Sequence, residues 1–109
     1  MSLAYIMTPY SHPNSSVVYY RVRQMAQFCG MLAELNQPYV CTPLMCHITA
    51  CECKLSGSAN FWTFLNDELM SKADFFILLM LKDFDVSVGV MSELSLIHKL
   101  GKNQERMDL

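Results

Sequence analysis

Apolar residues in this chain alternate between short unbroken runs and sets spaced by three and four. Leu3 to Met7 is the first run, halted by Thr8, Pro9, Tyr10, Ser11, His12 and Pro13, whose prolines forbid continued regular structure. The pattern predicts a strand followed by a loop. Asn14, Ser15 and Ser16 can cap a long helix, in which Val18, Val22, Met25, Ala26, Cys29, Leu32, Ala33 and Leu35 recur at helical steps until about Asn36. Pro38 opens a second strand, Tyr39 to Thr42, closed by Pro43, and the helical crossover makes its pairing with the first strand parallel. From Leu44 to Ala59 no period is evident, and Cys46, His47, Cys51, Cys53, Ser56, Gly57 and Ser58 predict a loop over a site. Helical spacing returns with Phe61, Phe64, Leu65 and Leu69 and runs to Lys72.

The stretch from Asp74 to Glu93 organises the rest. Phe75 to Leu81 holds no polar residue, which fits a strand covered on both faces of a parallel sheet. Lys82, Asp83, Asp85, Ser87 and Gly89 then form a polar turn. Val90, Leu94, Ile97 and Leu100 resume helical spacing, with Ser87 as N-cap and Gly101 as C-cap. The tail after Gly101 is polar and short, with no room for another core strand. These elements predict one α/β domain over residues 1–109, with a small parallel sheet.

Composition narrows the function classes. With 52% hydrophobic and 17% charged residues, the chain is rich in apolar side chains for a small monomer, so part of that excess is expected in a homo-oligomer interface. A net charge of −2 and the absence of a Lys/Arg cluster argue against nucleic acid polymers and anionic membranes as partners. No apolar run approaches a membrane span, and the N-terminus lacks the pattern of a secretory signal, so a cytoplasmic protein is expected. Five cysteines then read as reduced thiols. Cys46, His47, Cys51 and Cys53 form one crowded cluster, unlike the two paired knuckles of structural zinc, so no metal or other cofactor is expected.

Phosphate loops of the GxGxxG and GxxxxGK types are absent, as is the GxSxG nucleophile elbow. Thr8, Tyr10 and Ser11 follow the first strand, and Asp83 to Gly89, with Asp85, Ser87 and Gly89 as binding candidates, follow the third. In an open α/β sheet both loops line one crevice at the carboxyl edge. Glu93 stands there, in or just after the first turn of the last helix. The helix dipole and free amides of that turn predict a lowered pKa and the role of nucleophile rather than general acid. Asp67, on the preceding helix, can supply the second carboxylate of a glycosidic-bond site.

Four segments carry a resemblance. They are YIMTPYSHP (Tyr5 to Pro13), WxxxND (Trp62 to Asp67), Ala73-Asp74 before the apolar strand, and SxGVxxE (Ser87 to Glu93). In order and spacing the chain resembles the nucleoside 2-deoxyribosyltransferase-like superfamily, most closely a small bacterial and phage branch. The resemblance implies a flavodoxin-like three-layer sandwich and cleavage or transfer at the N-glycosidic bond of a (deoxy)nucleoside or nucleoside 5′-monophosphate. It assigns attack on C1′ to Glu93, sugar and base binding to Thr8, Tyr10 and Ser11, the 5′-phosphate to Ser87, and assistance to the base or sugar to Asn66 or Asp67. Trp62, Tyr10 or Phe84 would stack on the base. The polar end after Lys102 departs from that pattern: either the sheet is one strand short, or a neighbouring subunit receives less from this chain. A non-catalytic nucleotide-binding module and a structural interaction protein stand as alternatives.

Overall fold

The structure, a computed structural model, describes residues 2–55 and 61–108. Four parallel strands, β1 (Ala4–Met7), β2 (Tyr39–Val40), β3 (Phe75–Leu79) and β4 (Gln104–Met107), form one sheet in the order β2-β1-β3-β4. Among the described residues four α-helices connect and cover them: α1 (Ser15–Glu34), α2 (Thr42–Glu52), α3 (Thr63–Lys72) and α4 (Val88–Leu100). The pleat sorts side chains onto two cores. Ala4, Ile6, Ile77 and Leu79 meet Met25, Phe28, Cys29 and Leu32 of α1 on one face. Tyr5, Met7, Phe76 and Leu78 meet Met70 of α3 with Val90 and Ile97 of α4 on the other. The result is the α/β/α arrangement of a flavodoxin-like sandwich. Because β1 and β3 are central and covered on both sides, each runs without a polar interruption apart from the Tyr5 hydroxyl.

The caps fall where the sequence puts them. Asn14 Oδ1 accepts from Ser16 N at the start of α1, Ser87 Oγ accepts from Val90 N at the start of α4, and Gly101 ends α4 at φ 66°. Four expectations are overturned. Residues 44–52 do not form a loop: Pro43 sits in the first turn of α2, where its missing N–H costs nothing, so it begins a helix rather than merely ending a strand, while Ser56, Gly57 and Ser58 of the expected loop lie outside the described residues. Thr42 accordingly belongs to α2, and β2 keeps only Tyr39 and Val40. The polar tail also adds a strand, with β4 pairing to β3 from Phe76↔Gln104 to Leu79↔Met107. All four β4 residues are exposed, so backbone hydrogen bonds rather than apolar burial recruit it, and apolar patterning could not reveal it. The buried stripe of α1 is likewise rotated: Arg21 and Phe28 are inside, whereas Ala26, Ala33 and Leu35 are exposed.

Candidate functional site

Loops after β1 and β3, the start of α4, the body of α2 and the start of α3 enclose a cavity of about 590 Å3 at the carboxyl edge of the sheet. That is within the range of ordinary small-molecule sites. Thr8, Tyr10, Ser11, Trp62, Asn66, Ser87, Gly89 and Glu93 all line it, as their sequence positions imply. Asp85 does not; it is exposed in the short 3-10 turn of residues Phe84–Val86. Phe84 is also absent from the wall and packs against the α3/α4 core. Asp67 is exposed and faces a separate cleft of about 320 Å3, together with Thr63, Ser92, Ser95 and Lys99. Asn66, Gly89 and Glu93 border both spaces, so Glu93 stands on the partition between them.

Glu93 is held from the sheet. Tyr5 Oη donates to Glu93 Oε2 at 2.5 Å, and Thr42 Oγ1 donates to the same phenol oxygen at 3.3 Å. This chain links the first turn of α2, the centre of β1 and α4. Glu93 Oε1 has no hydrogen-bond partner among the described residues. Burial drives the Glu93 pKa up to about 7; the Tyr5 hydrogen bond opposes that rise and the Asp67 charge adds to it. The expected depression by the helix dipole is therefore reversed: loss of water around a carboxylate outweighs a terminal dipole that fades after one turn. Burial likewise pushes the Tyr5 phenol far above its usual value, with the Glu93 charge and the donated hydrogen bond acting in the same direction. Tyr5 remains an O–H donor throughout the physiological range.

The other walls are aromatic and polar. Trp62 is half-buried at the start of α3, near-parallel to Phe64 (27°, 6.4 Å between centroids) and edge-on to Phe61. Tyr10 Oη and His47 Nδ1 share a hydrogen bond at 2.7 Å, which fixes the β1 loop against α2. Two polar atoms, Thr8 Oγ1 and Asn66 Oδ1, are buried with no hydrogen-bond partner among the described residues, and both residues line the cavity. Such atoms cost about 1–3 kcal/mol unless satisfied, so they mark where a polar ligand gains most. Cys46 also lines the wall, but burial raises its thiol pKa, which disfavours the thiolate. Among the described residues no group of three or more His, Cys, Asp or Glu side chains is placed to hold a metal ion.

Sequence reasoning passed over Tyr5, Thr42 and Arg21. Tyr5 carried a usable signal, since a phenol inside an apolar central strand must find a buried partner for its hydroxyl. Arg21 carried one too, standing four residues before Met25 on the inward stripe. Thr42 was hidden by the misplaced end of β2. No protein-family model matches the chain, and no curated protein matches it. Among the described residues no helix is long and apolar enough to cross a membrane.

Proposed function

We propose that this protein cleaves or transfers at the N-glycosidic bond of a (deoxy)nucleoside or nucleoside 5′-monophosphate, with Glu93 as nucleophile. The single observation that carries the reading is a carboxyl on the cavity wall whose Oε2 accepts a hydrogen bond from Tyr5 Oη at 2.5 Å while Oε1 has no partner among the described residues. Its pKa of about 7 makes the ionised form a stronger nucleophile than an ordinary carboxylate, and about half of it is ionised at neutral pH. Oε1 attacks C1′, the C1′–N bond breaks with its electron pair going to the base, and the base takes a proton from solvent. Water then attacks C1′ of the glycosyl ester and loses its proton, releasing the sugar and the Glu93 carboxylate; a second nucleobase in its place gives transfer. Trp62 and Tyr10 offer faces for the base, and Thr8 Oγ1 and Asn66 Oδ1 offer polar contacts to sugar or base.

The reading extends to a cytoplasmic location and to a homo-oligomer, the latter supported by the exposure of Phe64, Val86 and Val88. The test is incubation with a panel of 2′-deoxynucleosides and their monophosphates, followed by chromatography for free base. Release that disappears in Glu93→Gln supports the proposal; no release from any of them, or equal release by Glu93→Gln, ends it. One observation favours a second reading, a nucleotide-binding module without turnover: Asp67, the expected second carboxyl, lies outside the larger cavity. Saturable nucleotide binding with no product after long incubation would select it.

A further inference from the structure

The five thiols of the chain stand in different surroundings. Cys29 and Cys41 are buried in the core beneath α1. Cys46 is half-buried on the cavity wall, where burial raises its thiol pKa. Cys51 and Cys53 are both exposed, but among the described residues only Cys51 has a base beside it. Its Sγ lies 3.8 Å from both Nδ1 and Nε2 of His47, one helical turn earlier on the same face of α2 and within reach of a sulfur hydrogen bond. His47 is itself held from another element. Tyr10 Oη meets His47 Nδ1 at 2.7 Å with the two rings edge-on at 82°, and Arg21 Nη1 donates to the Tyr10 carbonyl at 3.3 Å. A thiol, an imidazole and a group that orients the imidazole therefore stand in one row, with the thiol at the solvent end. Burial lifts the Tyr10 phenol above its usual pKa, and the charges of Cys51 and Cys46 act in the same direction, so the phenol stays neutral and can accept from Nδ1–H. In that tautomer Nε2 keeps its lone pair free for a proton.

We infer that Cys51 is a site of thiol–disulfide exchange with low-molecular-weight disulfides, with His47 as its base and Tyr10 as the residue that orients the base. Cys51 Sγ attacks one sulfur of the incoming disulfide as its proton passes to His47 Nε2. The new Sγ–S bond forms, the S–S bond breaks, and its electron pair leaves with the departing sulfur, which takes the proton back from His47. Cys51 is oxidised and half of the disulfide is reduced to a free thiol, so no further oxidant takes part. The adduct stands beside Ala50, a residue of the cavity wall, and so at the α2 rim of the chamber. The exchange uses neither Glu93 nor Tyr5, and it stands or falls apart from the glycosidic reading.

The test incubates the folded protein with oxidised glutathione at neutral pH for short intervals, quenches in acid and locates the mixed disulfides by tandem mass spectrometry. Cys53 is the internal standard, and each of the two thiols is timed in a variant that lacks the other, Cys53→Ser or Cys51→Ser. Cys51 is expected to react at least about tenfold faster than Cys53, since a base in contact with the thiol assists the attack and exposure alone does not. His47→Gln should bring Cys51 to within about threefold of Cys53, and Tyr10→Phe, which removes the acceptor for Nδ1–H, should lose part of the advantage. In concentrated urea the two thiols should react equally, because the row exists only in the fold. Equal rates in the folded protein, a Cys51 rate unmoved by His47→Gln, or an advantage that persists in urea overturns the inference and leaves Cys51 an ordinary surface thiol. Should His47→Gln fail to fold by circular dichroism, Tyr10→Phe decides: slowing of Cys51 upholds the inference, and an unchanged rate overturns it.

Discussion

Replacing Tyr5 with Phe removes one oxygen atom from a core position and leaves the ring in place against Phe76, whose centroid lies 5.7 Å away. The lost hydroxyl donates to Glu93 at 2.5 Å and holds the Glu93 pKa below the value that burial alone would set. A hydrogen bond to an ionised group contributes about 1.5–3 kcal/mol, and each pKa unit corresponds to about 1.4 kcal/mol. Tyr5→Phe should therefore raise the Glu93 pKa from about 7 by one to two units, roughly to 8 or 9. At pH 7 the ionised fraction would fall from about one half to between about one tenth and one hundredth. On the proposed function, the assay is kcat/KM for base release across pH ~5 to ~10, since its acid limb reports the ionisation of Glu93 in the free protein. The limb should move upward by that amount, with most of the rate recovered on the alkaline plateau. The same titration is visible without substrate in the carbon-13 shift of the Glu93 carboxyl. Thr42→Val, which removes the 3.3 Å donation onto the phenol oxygen, should move the limb in the same direction by less. A limb that stays in place while the rate drops at every pH would refute the reasoning and reduce Tyr5 to a packing residue.

Stability carries the same signature with a definite sign. Glu93 titrates higher in the folded protein, at about 7, than the ordinary carboxyl at 4.5, so the native state binds the extra proton between those values. Stability from this group is full below the unfolded pKa and is lost as pH rises through the folded one. The chain should thus be about 3 kcal/mol less stable to urea at pH 8 than at pH 4.5 through Glu93, and Glu93→Gln should flatten that slope. Lys102 Nζ donates to Met70 O, Ser71 O and Ala73 O at the end of α3. Lys102→Met should lower the urea midpoint by the equivalent of about 1–2 kcal/mol without moving the Glu93 titration; no change would mean that water replaces those contacts.

Much of the architecture was legible because central strands must be apolar on both faces, as Phe75 to Leu79 are, and because Asn14, Ser87 and Gly101 cap their helices by local chemistry that neighbours do not override. The convergence of Thr8, Tyr10, Ser87 and Glu93 followed from topology alone. Failures came where local signals have two meanings. Pro43 ends a strand as readily as it starts a helix, and β4 has no apolar signature because its partner is a backbone edge. The Glu93 pKa was misjudged because dipoles can be read from position in a helix, whereas desolvation depends on what α2 and β1 place around it.

The partition on which Glu93 stands has a kinetic corollary. Its neighbouring cleft is bordered by the exposed Asp67, Ser92, Ser95 and Lys99, so a second path leads from solvent toward the buried carboxyl, separate from the larger chamber. A bound molecule filling the chamber leaves this back door open. Protons can therefore exchange with buffer by that path during occupancy, and the ionisation of Glu93 stays in equilibrium while a ligand is bound instead of being frozen at the moment of entry.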